Sequence, residues 1–249
     1  MEASKPGPVA LNWREVTAWL GGTFDPPHLG HLEAARGLLL DPAVRSVRLM
    51  PAGNPPLKNQ GTPSHHRLEM TRLLVTLARD SRIDVDDREI LASRNKPGSP
   101  PSTSLETLRQ ISFETDCAAF VIGMELLAQL PHWHCYPEFL NFTHWIVLER
   151  KGGDPEKAIE HLRALEGTGV LRKEGERVWT IQASQKKLIL RPTSAPDLDS
   201  TRIRMALRSG VSVLKEQIPD KLLEYINENQ LYGTPGKFQS PVIRERKPI

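Results

Sequence analysis

Two histidines, His28 and His31, close the run Gly21-Gly22-Thr23-Phe24-Asp25-Pro26-Pro27-His28-Leu29-Gly30-His31-Leu32. An imidazole can donate to phosphate oxygens, increasingly so as charge builds on a triphosphate in a transition state. At i and i+3 of a helix start, both rings can face one ligand. Gly21 and Gly22 come directly after an apolar strand pattern. Read as loop residues without Cβ atoms, they let the chain turn sharply and bring a phosphate to main-chain N–H groups. Asp25-Pro26-Pro27 stiffens that loop, and Gly30 opens the helix that His31 begins. A helix N-terminus adds unpaired N–H groups and partial positive charge, which favour an anion. A metal pair is the competing use of two histidines, but no third ligand stands nearby at a metal spacing. Two surface histidines in a tight turn would leave the glycines without a purpose.

A second anion cradle is written further along, in Asp199-Ser200-Thr201-Arg202-Ile203-Arg204. Hydroxyls and N–H groups at a helix start, with an arginine one turn on, suit phosphate. Asp199 is also a good N-cap, so a purely structural helix start accounts for the same residues. Other polar residues stand just after apolar runs: Lys58, Gly123 with Glu125, Trp133 and Arg150. Arg150 could reach phosphate. Glu125 reads equally as an acid in the first turn of a helix, and Trp133 as a core plug.

The elements that must position these groups follow from hydrophobic periodicity. Strands are expected at Glu15–Leu20, Val44–Met50, Ile83–Val85, Ala118–Ile122, Thr143–Leu148 and Lys187–Leu190. Helices are expected at His31–Leu40, His66–Ala78, Ser104–Ile111, Pro155–Leu165, Ser200–Arg208 and Pro219–Glu228. Leu32, Ala35, Leu38 and Leu39 should face inward from the first helix, and Leu68, Leu73, Leu74 and Leu77 from the second. Strands separated by helices imply a Rossmann-like α/β domain, a parallel sheet with helices on both faces. In such sheets ligands sit beyond the carboxyl ends of the strands, where the strand order reverses. The candidate residues do follow strands.

The first run resembles the HxGH signature of the nucleotidyltransferase superfamily, specifically its nicotinate mononucleotide adenylyltransferase branch. The similarity extends over about residues 15 to 232. It implies adenylyl transfer from ATP to nicotinate mononucleotide, with Mg²⁺, giving deamido-NAD and pyrophosphate. It assigns His28, His31, Lys58 and Arg204 to catalysis. It places Gly21, Gly22, Thr23, Phe24, Gly30, Gly123, Glu125, Ser200 and Thr201 around ATP, and Ser104, Trp133 and Arg150 around the mononucleotide. Pro51–Lys58 resembles the family's PxxxPPHK loop, with Leu57 where that loop has histidine. Arg67 falls where the family has an arginine, though a solvated helix face is an equal reading. Thr103 replaces a tyrosine, Glu125 the aspartate of a GxD motif and Asp199 a serine. Those changes leave open a related transferase with another acceptor, or a non-catalytic nucleotide-binding protein.

Composition is compatible with this picture. The 249 residues are 39% hydrophobic and 25% charged, with 33 Lys plus Arg against 30 Asp plus Glu. A surplus of three positive charges is too small to argue for nucleic acid. No apolar run reaches the length of a membrane span and the first residues lack the stretch of a signal peptide, so a cytoplasmic protein is expected. Cys117 and Cys135 have no metal spacing and read as free thiols. Residues 1–12 and 233–249 read as flexible tails around one domain at 13–232. Assembly with further copies of the chain is left open.

Overall fold

The computed structural model describes residues 14–53, 61–95, 104–115, 117–149, 155–210 and 216–233. The expectations for Leu57, Lys58, Thr103, Arg150 and, apart from Gly233, the two tails fall outside the described residues. Strands β1 (Val16–Gly22), β2 (Val44–Pro51), β3 (Ile83–Val85), β4 (Ala118–Gly123), β5 (His144–Leu148), β6 (Leu171–Lys173), β7 (Val178–Ile181) and β8 (Lys187–Arg191) form one sheet. Its order is β3-β2-β1-β4-β5-β8-β7-β6. The first six positions pair in parallel. Helices α1 (Leu29–Leu39), α2 (Ser64–Thr76), α3 (Arg88–Asn95), α4 (Ser104–Ser112), α5 (Pro155–Gly167), α6 (Ser200–Arg208) and α7 (Asp220–Glu228) complete the fold with short 3-10 segments.

Period-two burial explains why the sheet is covered on both sides. Val16, Ala18 and Leu20 of β1 pack with Leu32, Ala35, Leu38 and Leu39 of α1 on one face. Trp19 points the other way, into a cluster with Phe120, Ile122 and Trp145 beneath α4 and α5. Strands buried on both faces read as continuous apolar runs, as Ala118–Ile122 does. Met70 of α2 joins Ile203, Leu207, Ile218, Leu222, Ile226 and Leu231 in a third, smaller cluster that holds α6 and α7 to α2.

Several expectations change. The sheet is mixed, because β6 and β7 add an antiparallel edge that periodicity misses; strands of three and four residues are too short to display an alternation. Helix α3 was not foreseen either. On α2 the inward face is Leu68, Met70, Thr71, Leu74 and Arg67, while Leu73 and Leu77 are only half-buried. Gly21 and Gly22 are the last residues of β1 rather than loop residues. A Cβ on Gly21 would lie 2.6 Å from the Phe120 ring, so that glycine answers a side chain of the neighbouring strand. The turn itself is made by Phe24 in the left-handed region (φ 52°) and a cis Asp25–Pro26 bond.

His144 begins β5, where its Nδ1 accepts the Lys187 N–H at 3.0 Å. Burial, with Lys186 and Lys187 adding repulsion, pushes its pKa down from 6.5 to about 4. The folded state thus refuses a proton that the unfolded chain accepts below about pH 6.5, so this contribution to stability is lost as pH falls from 6.5 towards 4. With partial solvent screening, the slope is about 1 kcal/mol per pH unit. Denaturant unfolding between pH 6.5 and 5 should show that fall in the wild type and a flatter profile in His144→Asn, which keeps an acceptor and does not titrate.

Candidate active site

The strand order reverses between β1 and β4, so α1 leaves β1 towards one face, the 3-10 segment Met124–His132 leaves β4 towards the other, and a crevice opens beyond the carboxyl ends of the two strands. Gly22 ends β1 and Gly123 ends β4, one on each side of that crevice. A Cβ on Gly123 would meet the Glu125 carboxylate at 2.3 Å, so the glycine makes room for that side chain to fold back over the strand end. Glu125 thus stands beside the crevice, in an exposed position on a 3-10 turn.

His28 is the N-cap of α1 and is 5% exposed; His31 is half-buried one turn on. Their rings stack with centroids 3.8 Å apart. The His28 main-chain N–H donates to His31 Nδ1 at 3.2 Å. An accepting Nδ1 puts the proton of the neutral ring on Nε2, which makes that nitrogen the donor. Phe24 is buried and lies under His31 with ring centroids 4.7 Å apart, so its side chain supports the imidazole from below. Gly30 is required by closeness: a Cβ would lie 3.0 Å from His28 Nδ1 and 3.1 Å from the carbonyl oxygen of Pro196.

That carbonyl belongs to the segment leading into α6, and the two anion cradles meet there. Ser200 Oγ donates to Pro26 O at 2.9 Å. Arg204 donates to Asp25 O through Nη1 and to Thr201 Oγ1 at 3.1 Å through Nη2. Asp199 Oδ1 accepts from the N–H groups of Thr201 at 2.6 Å and Arg202 at 3.2 Å. The helix-start and phosphate readings of this segment therefore describe the same atoms. Here the donors serve the protein's own acceptors.

Arg67 is the residue that sequence reasoning under-read. It is 2% exposed, and its guanidinium donates to Thr62 O at 3.1 Å, Thr23 O at 2.8 Å and Gly53 O at 2.8 Å. Burial lowers its pKa, while Asp25, Tyr232 and Glu89 act to raise it. The solvated helix face is excluded; Arg67 ties the turn after β1 to both ends of the segment between β2 and α2. Only a carbonyl-rich neighbourhood in three dimensions gives that away. Asp25 and Tyr232, joined by a 2.7 Å hydrogen bond, were likewise without a signal in the sequence.

Trp133 is half-buried at the end of the 3-10 segment Met124–His132 and tilts against Phe139, centroids 5.6 Å apart. Ser104 opens α4; its side chain lies outside the described residues. The histidines, glycines and α6 start come together around one turn, whereas among the described residues Trp133 packs in the apolar cluster beneath α4 and α5, away from that turn.

A strand–turn–helix with paired histidines at the switch point of a mostly parallel sheet defines an α/β nucleotidyltransferase. The chain belongs to the cytidylyltransferase-like family, whose model matches residues 19–206. Among curated relatives, one in Pseudomonas syringae pv. tomato, named as a nicotinate-nucleotide adenylyltransferase, is 33% identical over 228 residues, 89% of this chain and 96% of its own. One of the same name in Pseudomonas putida is 34% identical, covering 87% of this chain and 94% of its own. The solved structure of Plasmodium falciparum nicotinic acid mononucleotide adenylyltransferase complexed with NaAD superposes with a TM-score of 0.65 at 15% identity, over 90% of this chain and all of that one. Another structure of that enzyme, complexed with APC, gives 0.64. These two show the fold.

Asp199 occupies N–H groups at the mouth of α6 that a phosphate would otherwise take, and its charge opposes a triphosphate. Serine caps a helix about as well. Asp199→Ser should therefore tighten ATP binding about two- to fivefold, matching about 0.5–1 kcal/mol for a partly solvated charge, at little cost in stability. ATP titration at fixed Mg²⁺ and two ionic strengths checks this; weaker binding by the serine variant would refute it.

Proposed function

We propose that this chain transfers the adenylyl group of ATP to nicotinate mononucleotide. A phosphate oxygen of the mononucleotide attacks the α-phosphorus, the bond from that phosphorus to the β-phosphate bridging oxygen breaks, and pyrophosphate leaves with deamido-NAD as the other product. The observation that carries this reading is the docking of the α6 start onto the His28–His31 turn, at the switch point of the sheet. It gathers cationic and N–H donors where a triphosphate would lie. A mononucleotide phosphate is already anionic at neutral pH, so no side chain need act as base. Positioning and charge neutralisation supply the rate.

In this reading His28, His31, Lys58 and Arg204 neutralise the phosphates. Gly21, Gly22, Thr23, Phe24 and Gly30 shape the ATP side with Ser200 and Thr201, and Gly123 and Glu125 stand at its ribose. Ser104, Trp133 and Arg150 belong to the mononucleotide. Mg²⁺ would neutralise triphosphate charge. Among the described residues no three His, Cys, Asp or Glu side chains gather as a metal site. Among the described residues no helix is long and apolar enough to cross a membrane. ATP as substrate and two cysteines outside any disulfide, Cys117 and Cys135, support a cytoplasmic setting.

Pyrophosphate release from ATP, with nicotinate mononucleotide, nicotinamide mononucleotide and phosphopantetheine offered separately, tests the assignment. Turnover with nicotinate mononucleotide foremost supports it. Turnover with another acceptor, or none, overturns it. His31→Ala should leave the fold intact and lower kcat by about a hundredfold or more, the usual loss for one transition-state donor; near-wild-type turnover would end the phosphate role. Trp133→Ala should raise KM for the mononucleotide by roughly two- to tenfold with KM for ATP unchanged, from about 0.5–1.5 kcal/mol of ring stacking. Equal losses for both substrates would return Trp133 to the core.

A further inference from the structure

We propose that Tyr232 is a positioning residue for the transfer reaction, holding through the Asp25 carboxylate the turn that carries His28 and His31. The inference rests on the adenylyl-transfer reading above. Tyr232 stands in a short 3-10 turn after α7, more than two hundred residues from Asp25. Its hydroxyl donates to Asp25 Oδ1 at 2.7 Å. Asp25 is 3% exposed. The main-chain carbonyl of the same residue takes Arg204, and the next carbonyl, Pro26 O, takes Ser200. One residue thus receives the segment after α7 through its side chain and α6 through its backbone.

The geometry on the tyrosine side is unusual for its residue type. Tyr232 has φ 62°, a left-handed conformation that a bulky L-residue rarely adopts, followed by Gly233 at φ 71°. That conformation sends the ring back under the β1–α1 turn, where its hydroxyl lies 4.0 Å from Met70 Sδ. Leu231 beside it is buried in the third apolar cluster with Ile203 and Leu207 of α6. The segment therefore fastens to α6 through carbon and to Asp25 through oxygen. The burial that surrounds the phenol, with the Asp25 charge beside it, raises its pKa, so it stays a donor throughout the working pH range.

A hydrogen bond of this kind acts by holding geometry. The histidines follow Asp25 by three and six residues on a stiff, proline-bearing turn, so freedom at Asp25 becomes displacement at the imidazoles. Small misplacements of reacting groups cost rate out of proportion to the energy of a single hydrogen bond.

The test compares Tyr232→Phe, Asp25→Ala and the double variant with the wild type, using ATP and nicotinate mononucleotide. Tyr232→Phe should lower kcat about tenfold or more, with KM for each substrate within about threefold and a melting temperature within a few degrees. The double variant should lose no more than the worse single one, because the two act through one hydrogen bond. Leu231→Ala loosens the same cluster without touching Asp25 and serves as the match in stability. If it loses as much kcat as Tyr232→Phe, the effect is structural and the proposal fails. It fails also if Tyr232→Phe turns over within twofold of the wild type, or if the losses of Tyr232→Phe and Asp25→Ala add. A wild type without turnover would instead sink the adenylyl-transfer reading.

Discussion

The turn between β1 and α1 is rich in acceptors and poor in donors, and much of the structure answers that imbalance. Pro26 and Pro27 remove two N–H groups from a stretch in which residues 24–28 are all buried. The carbonyls of Thr23, Asp25 and Pro26 remain, and a buried carbonyl needs a partner. Their donors come from outside the turn. Arg67 reaches in from α2, and Arg204 and Ser200 from α6. Two side chains that would serve an anion are brought to the turn by its own need for donors, and the third, Arg67, makes three hydrogen bonds there, each to a carbonyl.

Arg67 shows how far that need reaches. A guanidinium with almost no exposure is costly to bury, and it is tolerated because its fork of donors is matched by three carbonyls and by the nearby Asp25 and Glu89. The same matching joins the turn after β1 to the chain leaving β2 and the chain entering α2. Gly53 carries one of those carbonyls and cannot bear a side chain, since a Cβ would lie 2.3 Å from the Glu89 carbonyl oxygen. Helix α3, which contributes Glu89, is therefore part of the site's foundation although it does not approach the crevice between β1 and β4.

What was legible in the sequence was whatever depends on local order. The inward face of α1, the parallel strands and the histidine-bearing helix start follow from spacing, and the structure has them. The two anion cradles could each be recognised from a few consecutive residues. Their mutual contact could not, because Ser200 and Pro26 are related only by folding. The role of Gly21 was misread for the same reason: it is glycine on account of the Phe120 ring, ninety-nine residues on. Arg67 and Tyr232 were opaque because a donor in a polar or aromatic-flanked stretch looks solvated until its acceptors are placed. The hairpin of β6 and β7 was missed through brevity and charge, as Leu171-Arg172-Lys173 gives no alternation to read.

The hydrogen-bond inventory also ranks the groups that can turn to a ligand without dismantling the turn. Ser200 has one hydroxyl proton, and Pro26 O holds it, so donation from that hydroxyl to a phosphate would strip a buried carbonyl of its partner. Arg204 has five donors, of which the contacts to Asp25 O and Thr201 Oγ1 engage two. It can keep both and still offer an edge of its guanidinium. His31 is in the same position: Nδ1 is committed to the main-chain N–H of His28, which fixes the ring and leaves the proton on Nε2. The cationic fork and the imidazole are thus pre-oriented by bonds they need not break, whereas the Ser200 hydroxyl and the Asp199-capped N–H groups must exchange partners. In the proposed reaction, preorganised donors of the first kind would carry transition-state stabilisation at least reorganisation, which would put the catalytic weight on Arg204 and His31 and leave the α6 start to hold the turn in place.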